Sequence, residues 1–122
     1  MFDHVTIAVS DMKTARAFYD KALAPLGMKA LMDFGTYAGF GKERPIFWIG
    51  QGRAAPSQPR THICFAASDR KTVDAFYQAA MAAGGKDNGA PGLRPHYHAN
   101  YYGAFVLDGD GYNIEAVCHL PD

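Results

Sequence analysis

Residues 4–27 read HVTIAVSDMKTARAFYDKALAPLG, and residues 62–85 read HICFAASDRKTVDAFYQAAMAAGG. Laid over one another, 58 positions apart, they match without a gap. His4 falls on His62, Ser10-Asp11 on Ser68-Asp69, and Lys13-Thr14 on Lys71-Thr72. Ala17-Phe18-Tyr19 falls on Ala75-Phe76-Tyr77, and Gly27 on Gly85. About a dozen identities in some two dozen positions is far above chance, so the segment is written twice.

Each copy reads as a strand followed by a helix. Val5, Ile7 and Val9 alternate with His4, Thr6 and Ala8, the period-two pattern of a strand with two unlike faces. Asp11 stands where an N-cap belongs, and Ala15, Phe18, Tyr19, Ala22 and Leu26 recur at three- and four-residue spacing. Pro25 and Gly27 end that pattern. The second copy repeats it from Asp69 to about Ala83, ending on Gly84-Gly85.

Outward from the first copy, three short strands are expected at Met28 to Asp33, Tyr37 to Gly41 and Pro45 to Gly50. Outward from the second, Lys86 to Tyr97 is rich in Gly and Pro and reads mostly as loop. Tyr101 to Leu107 and Tyr112 to His119 read as strands around the hairpin signal Asp108-Gly109-Asp110-Gly111. The fold class is therefore α+β: two tandem βαβββ modules forming a cup-shaped mixed sheet with helices on the outer face. Module 1 covers about 1–52, a Pro-containing linker about 53–60, and module 2 about 61–122, within a single domain over 1–122.

Composition narrows the function classes. Twelve basic residues balance twelve acidic ones, and they are scattered, so nothing recruits nucleic acid or an anionic membrane. Apolar runs are only a few residues long, too short to span a bilayer. Cys64 and Cys118 are too few for a disulfide scaffold and read as small buried thiols. With no basic-then-apolar leader in Met1-Phe2-Asp3-His4, a cytoplasmic location is expected.

Strand parity points to the chemistry. Val5, Ile7 and Val9, then Ile63, Phe65 and Ala67, then Ile114, Ala116 and Cys118 face the helices. That leaves His4, His62 and Glu115 on faces the helices do not cover. Two imidazoles and a carboxylate are donors for one divalent metal ion, Fe, Mn, Ni or Zn, with positions left open for water or substrate. A lone strand histidine is more often a packing or surface residue; the equivalence of His4 and His62 is what lifts this pair above that background.

With its paired halves, His4 and His62 opening them and DGDGYNIEAV carrying Glu115, the chain resembles the glyoxalase/bleomycin-resistance/dioxygenase superfamily, also called the vicinal oxygen chelate family. The resemblance covers essentially the whole chain. It implies a metal held by His4, His62 and Glu115, and a small substrate chelated through neighbouring oxygens. The reaction could be that of a lyase or isomerase, a dioxygenase or a thiol transferase. A non-catalytic, bleomycin-resistance-like binding protein is the alternative. The family's modules pair within a chain or across a two-fold axis, and a homodimer is expected. Glyoxalase I-like members carry a further carboxylate on the last strand of the first half. Here that place falls near Trp48, with Glu43 in the preceding turn, so lactoylglutathione lyase activity is not expected.

The remaining candidates lie in His96-Tyr97-His98-Ala99-Asn100-Tyr101-Tyr102. His98 and Tyr102 are expected as acid or base; His96 and Tyr101, with Phe47 and Trp48, are expected to touch substrate. His119 reads as a solvated end residue.

Overall fold

The computed structural model describes residues 1–52 and 61–122; the expected linker at 53–60, with Arg53 and Arg60, lies outside the described residues. In chain order the first half holds strand β1 (Val5–Val9), helix α1 (Met12–Ala22), a 3-10 turn (Ala24–Leu26) and strands β2 (Lys29–Asp33), β3 (Tyr37–Gly41) and β4 (Phe47–Gln51). The second holds β5 (His62–Ala66), α2 (Arg70–Ala82), β6 (Lys86–Leu93), β7 (Tyr102–Leu107) and β8 (Asn113–Cys118). Both halves are βαβββ modules.

The two four-stranded sheets have the same topology, β1-β4-β3-β2 and β5-β8-β7-β6. In each, the opening strand runs parallel to the last strand of its module, and the other pairs are antiparallel. Both helices start on an aspartate: the Asp11 carboxylate accepts from Thr14 N, and that of Asp69 from Thr72 N. These caps satisfy backbone donors that the first turn leaves free. Gly27, with φ of 79°, closes the 3-10 turn in the left-handed region that a side chain disfavours.

One core joins the halves. Ile7, Val9, Phe47 and Ile49 from the first sheet and Phe65, Val106, Ile114 and Ala116 from the second pack under α1 and α2 in a single buried cluster. Tyr19 of α1 is wholly buried against Phe40 and Phe47, and Phe47 meets Phe65 edge-on across the seam, ring centres 5.3 Å apart. Polar contacts cross the same seam. The Tyr112 hydroxyl donates to Ala8 O at 2.7 Å, Ser10 N donates to the Asp110 carboxylate, and the Tyr19 hydroxyl donates to Asp108. No helix among the described residues is long and apolar enough to cross a membrane.

One expectation fails. Lys86 to Leu93 is a strand, not a loop, and β6 pairs with β7 from Lys86↔Leu107 to Leu93↔Tyr102. Its register shifts twice, around Gly89, whose φ is 146°. Glycine and proline here mark bulges in an edge strand rather than the absence of one.

Candidate metal and substrate face

The parallel register fixes what meets on the uncovered face of the second sheet. His62 stands opposite Asn113 and Cys64 opposite Glu115, so His62, Cys64 and Glu115 share one face while Ile63, Phe65, Ile114 and Ala116 turn to the core. Glu115 is 0 % exposed, and such a carboxylate is costly unless its oxygens are satisfied. His62 Nε2 donates to Glu115 Oε1 at 2.8 Å, and the Tyr101 hydroxyl donates to Oε2. Gly103 makes room for this arrangement: a Cβ there would come within 3.1 Å of both Oε2 and the Tyr101 ring.

Tyr101 is the tyrosine of this site. Burial, then its bond to Glu115, raises its pKa, so it holds its proton and donates. Cys64, unlike Cys118, is exposed rather than a buried thiol; partial desolvation on this face, then the Glu115 charge, pushes its thiol up. Tyr102 does not join the group: one residue on, it turns to the helix side, and its hydroxyl donates to Asp74 of α2 at 2.7 Å. That bond, ahead of burial, raises its pKa.

His98, expected as acid or base, is exposed and hydrogen-bonded through Nε2 to His119 Nδ1 at 2.7 Å. The two rings stack, and both stand edge-on to Tyr101. His119 is exposed, as expected of a solvated end residue, and it also belongs to this cluster. His96 packs on Tyr97, which in turn meets Tyr101. Neither histidine bonds to Glu115 directly.

On the first sheet, Trp48 is opposite Thr6 on the uncovered face and stacks on Phe34. Phe47 takes the other parity. It is 1 % exposed in the aromatic core, and it also borders the groove described next. That groove, about 500 Å³, runs between the starts of β1 and β5 and is bordered by His4, Arg44, His62 and Cys64. His4 is exposed there, its Nδ1 hydrogen-bonded to Asp3 Oδ1 at 2.7 Å. The bond from His4, and then the Arg44 charge, hold the Asp3 carboxyl below its usual range. Of the expected ligands, His62 and Glu115 are in contact. His4 lines the same groove without joining them, and among the described residues no three His, Cys, Asp or Glu are gathered closely enough to hold a metal ion.

The donor set present still fits a divalent ion. Imidazole nitrogen and carboxylate oxygen are the donors such an ion takes. The 2.8 Å between His62 Nε2 and Glu115 Oε1 is a hydrogen-bond distance, and an ion would replace that proton between the same two atoms.

The chain belongs to the Glyoxalase/Bleomycin resistance protein/Dioxygenase superfamily, whose pattern it matches over residues 1–116. Among solved structures it is similar to a glyoxalase/bleomycin resistance protein from Albidiferax ferrireducens T118, 30 % identical, with 97 % of this chain and 98 % of that one covered and a TM-score of 0.81. A glyoxalase/bleomycin resistance protein/dioxygenase family enzyme from Burkholderia phytofirmans PsJN is 20 % identical over 97 % and 98 % of the two chains, with a TM-score of 0.76. A mutant of the fosfomycin resistance protein FosX from Listeria monocytogenes, complexed with Mn(II) and 1S,2S-dihydroxypropylphosphonic acid, shares the fold at 18 % identity, TM-score 0.73, over 96 % of this chain and 88 % of that one. A search of curated proteins gives no match.

Proposed function

We propose that this protein is a divalent-metal-dependent enzyme acting on a small substrate that chelates the metal through neighbouring oxygens. The observation that carries the reading is Glu115. A fully buried carboxylate on an otherwise uncovered sheet face, held between His62 and Tyr101, is a costly arrangement that a metal centre explains. Its membership of the superfamily, and the Mn(II) in the FosX complex, support the same reading.

His62, Glu115 and His4 would hold the ion. Asp3 suits His4 to that role: with Nδ1 hydrogen-bonded to a carboxylate, the ring keeps Nε2 free as a donor. His4 stands apart from the other two, and among the described residues nothing covers the faces that carry them. A homodimer in which the first sheet of one copy faces the second sheet of the other accounts for both facts. A bound divalent ion supplies Lewis-acid stabilisation of negative charge developing on substrate oxygen. Tyr101 keeps its proton at Oη beside Glu115, where it fixes the carboxylate's orientation. Trp48 and Phe34 would form an apolar wall against the substrate.

The test is metal content of untagged protein beside a His62→Ala, Glu115→Ala double variant. About one equivalent of Fe, Mn, Ni or Zn per chain, lost in the variant, is the expected result. If both come out empty and stay empty when metals are added, the enzyme reading fails and a non-catalytic binding cup replaces it. Oxygen uptake that depends on Fe(II) would identify a dioxygenase. Turnover without oxygen on Mn, Ni or Zn would exclude one.

A further inference from the structure

Arg94 lies just past β6, and its backbone N–H donates to Tyr101 O at 2.7 Å, which sets it opposite Tyr101. By parity it shares the uncovered face with Tyr101, Gly103, Phe105 and Glu115, while Leu93 and Tyr102 take the other face. Its guanidinium lies over the Phe105 ring, 5.5 Å from the ring centre, and that same ring is 6.0 Å from the His62 imidazole. One phenyl ring thus touches both the arginine and the candidate metal ligand.

The guanidinium is held in place without being neutralised. Nη1 donates to Gly92 O and Nη2 to Ala90 O, each at 2.8 Å. The backbone beneath is cleared for it: a Cβ on Gly92 would sit 3.2 Å from Nη1, and one on Gly89 would sit 3.2 Å from Nη2. Among the described residues no carboxylate pairs with Arg94, whereas Arg16 and Arg44 each meet an aspartate. Two of its five N–H donors are used, and three remain. A permanently charged planar fork, half-buried and oriented by two carbonyls, an aromatic ring and two glycines, is a preorganised receptor for an oxyanion.

We infer that Arg94 anchors an anionic group of the substrate, so that the substrate is a small oxyanion, carrying a carboxylate or a phosph(on)ate about one phenyl ring away from the chelating oxygens. The substrate assignment rests on the metal-face reading above; the anion site itself does not.

Acetate and methylphosphonate, titrated separately into the metal-free protein at fixed ionic strength, test it by NMR shifts of the Arg94 Nε–H and the Phe105 amide. Both signals are expected to move saturably. Arg94→Gln should weaken binding by about 10-fold or more, the loss expected when a charge-assisted bond goes. Lys71→Gln, at an exposed position of α2, should leave it unchanged. Gly92→Ala, which keeps the arginine but displaces it, should weaken binding with a circular-dichroism melt like wild type, separating a lost receptor from a lost fold. Whichever probe binds more tightly names the anion. Equal binding by wild type and Arg94→Gln, or no binding by wild type, overturns the inference. Mn(II) binding read by EPR keeps the two proposals apart. Arg94→Gln should bind Mn(II) like wild type, and Glu115→Gln should lose Mn(II) yet keep the oxyanion. If wild type binds no Mn(II) while oxyanions still bind at Arg94, the metal reading falls and the anion site stands.

Discussion

The two halves place Trp48 and Glu115 at the same point. In the first, β1 runs beside β4 with Thr6 opposite Trp48; in the second, β5 runs beside β8 with Cys64 opposite Glu115. Thr6 and Cys64 are equivalent in the duplication, so Trp48 and Glu115 are too. Each has its space cleared by a glycine. A Cβ on Gly39 would fall 2.8 Å from the Trp48 ring, and one on Gly103 would fall 3.1 Å from Glu115 Oε2. The backbone is thus indifferent to which side chain stands there. One residue makes the first face aromatic, Trp48 on Phe34, and the other makes the second face polar, with His62, Tyr101 and Arg94 around it. Duplication supplies two copies of a scaffold, and divergence at one register position separates a wall from a ligand site.

The strongest way to break that comparison is at the shared position. Glu115→Gln keeps an acceptor for Tyr101 but removes the charge. Mn(II) affinity measured by EPR should fall at least about 100-fold while the chain stays folded. Trp48→Glu should do the reverse. A carboxylate placed over Gly39 adds a donor to the first face, and Mn(II) affinity should rise roughly tenfold in a dimer that pairs the two faces. No gain would mean that Trp48 of neither copy borders the metal.

A smaller effect separates two adjacent tyrosines. Tyr101→Phe leaves Glu115 Oε2 buried without a donor, costing about 1–3 kcal/mol, and should also weaken Mn(II) binding. Tyr102→Phe loses only the half-buried bond to Asp74, about 0.5–1.5 kcal/mol, and should leave Mn(II) binding alone. Paired urea titrations and EPR would show a reversed pattern if the assignment were wrong.

How far this was legible follows from the same residues. The duplication, both caps and the parity of His4, His62 and Glu115 are written in the sequence, because period two and N-caps are local rules. The choice of Tyr101 over Tyr102 was also within reach. The turn at Asp108–Gly111 sets Phe105 opposite Glu115, and counting back two residues at a time lands on Gly103 and Tyr101. The same counting puts Phe47 in the core and Trp48 outside it. Strand β6 and the setting of Arg94 were not legible. Gly89, Pro91 and Gly92 carry a loop-like composition, and only pairing with β7 reveals two bulges that lay a guanidinium over bare backbone. The pairing of His98 with His119 spans 21 residues and has no local signature.

The seam between the halves gives the smallest effect, and pH reads it. Asp108, in the β7–β8 turn, accepts from Tyr19 of the first half and from its own turn's Asp110 N and Tyr112 N. Burial nonetheless dominates and raises its pKa above the usual carboxylate value, the bonds pulling the other way. For an acid whose folded pKa is raised, the folded state holds more protons than the unfolded one between the two values. The stabilisation is then complete below the unfolded pKa of about 3.9 and is lost as pH rises through the folded value. Asp108→Asn cannot titrate, so its urea midpoint lacks this component. Between about pH 4 and pH 7, the stability of wild type relative to Asp108→Asn should therefore decline. A relative stability that rises over that range would mean that the Tyr19 and backbone bonds outweigh burial, and that the seam is held by an ionised carboxylate.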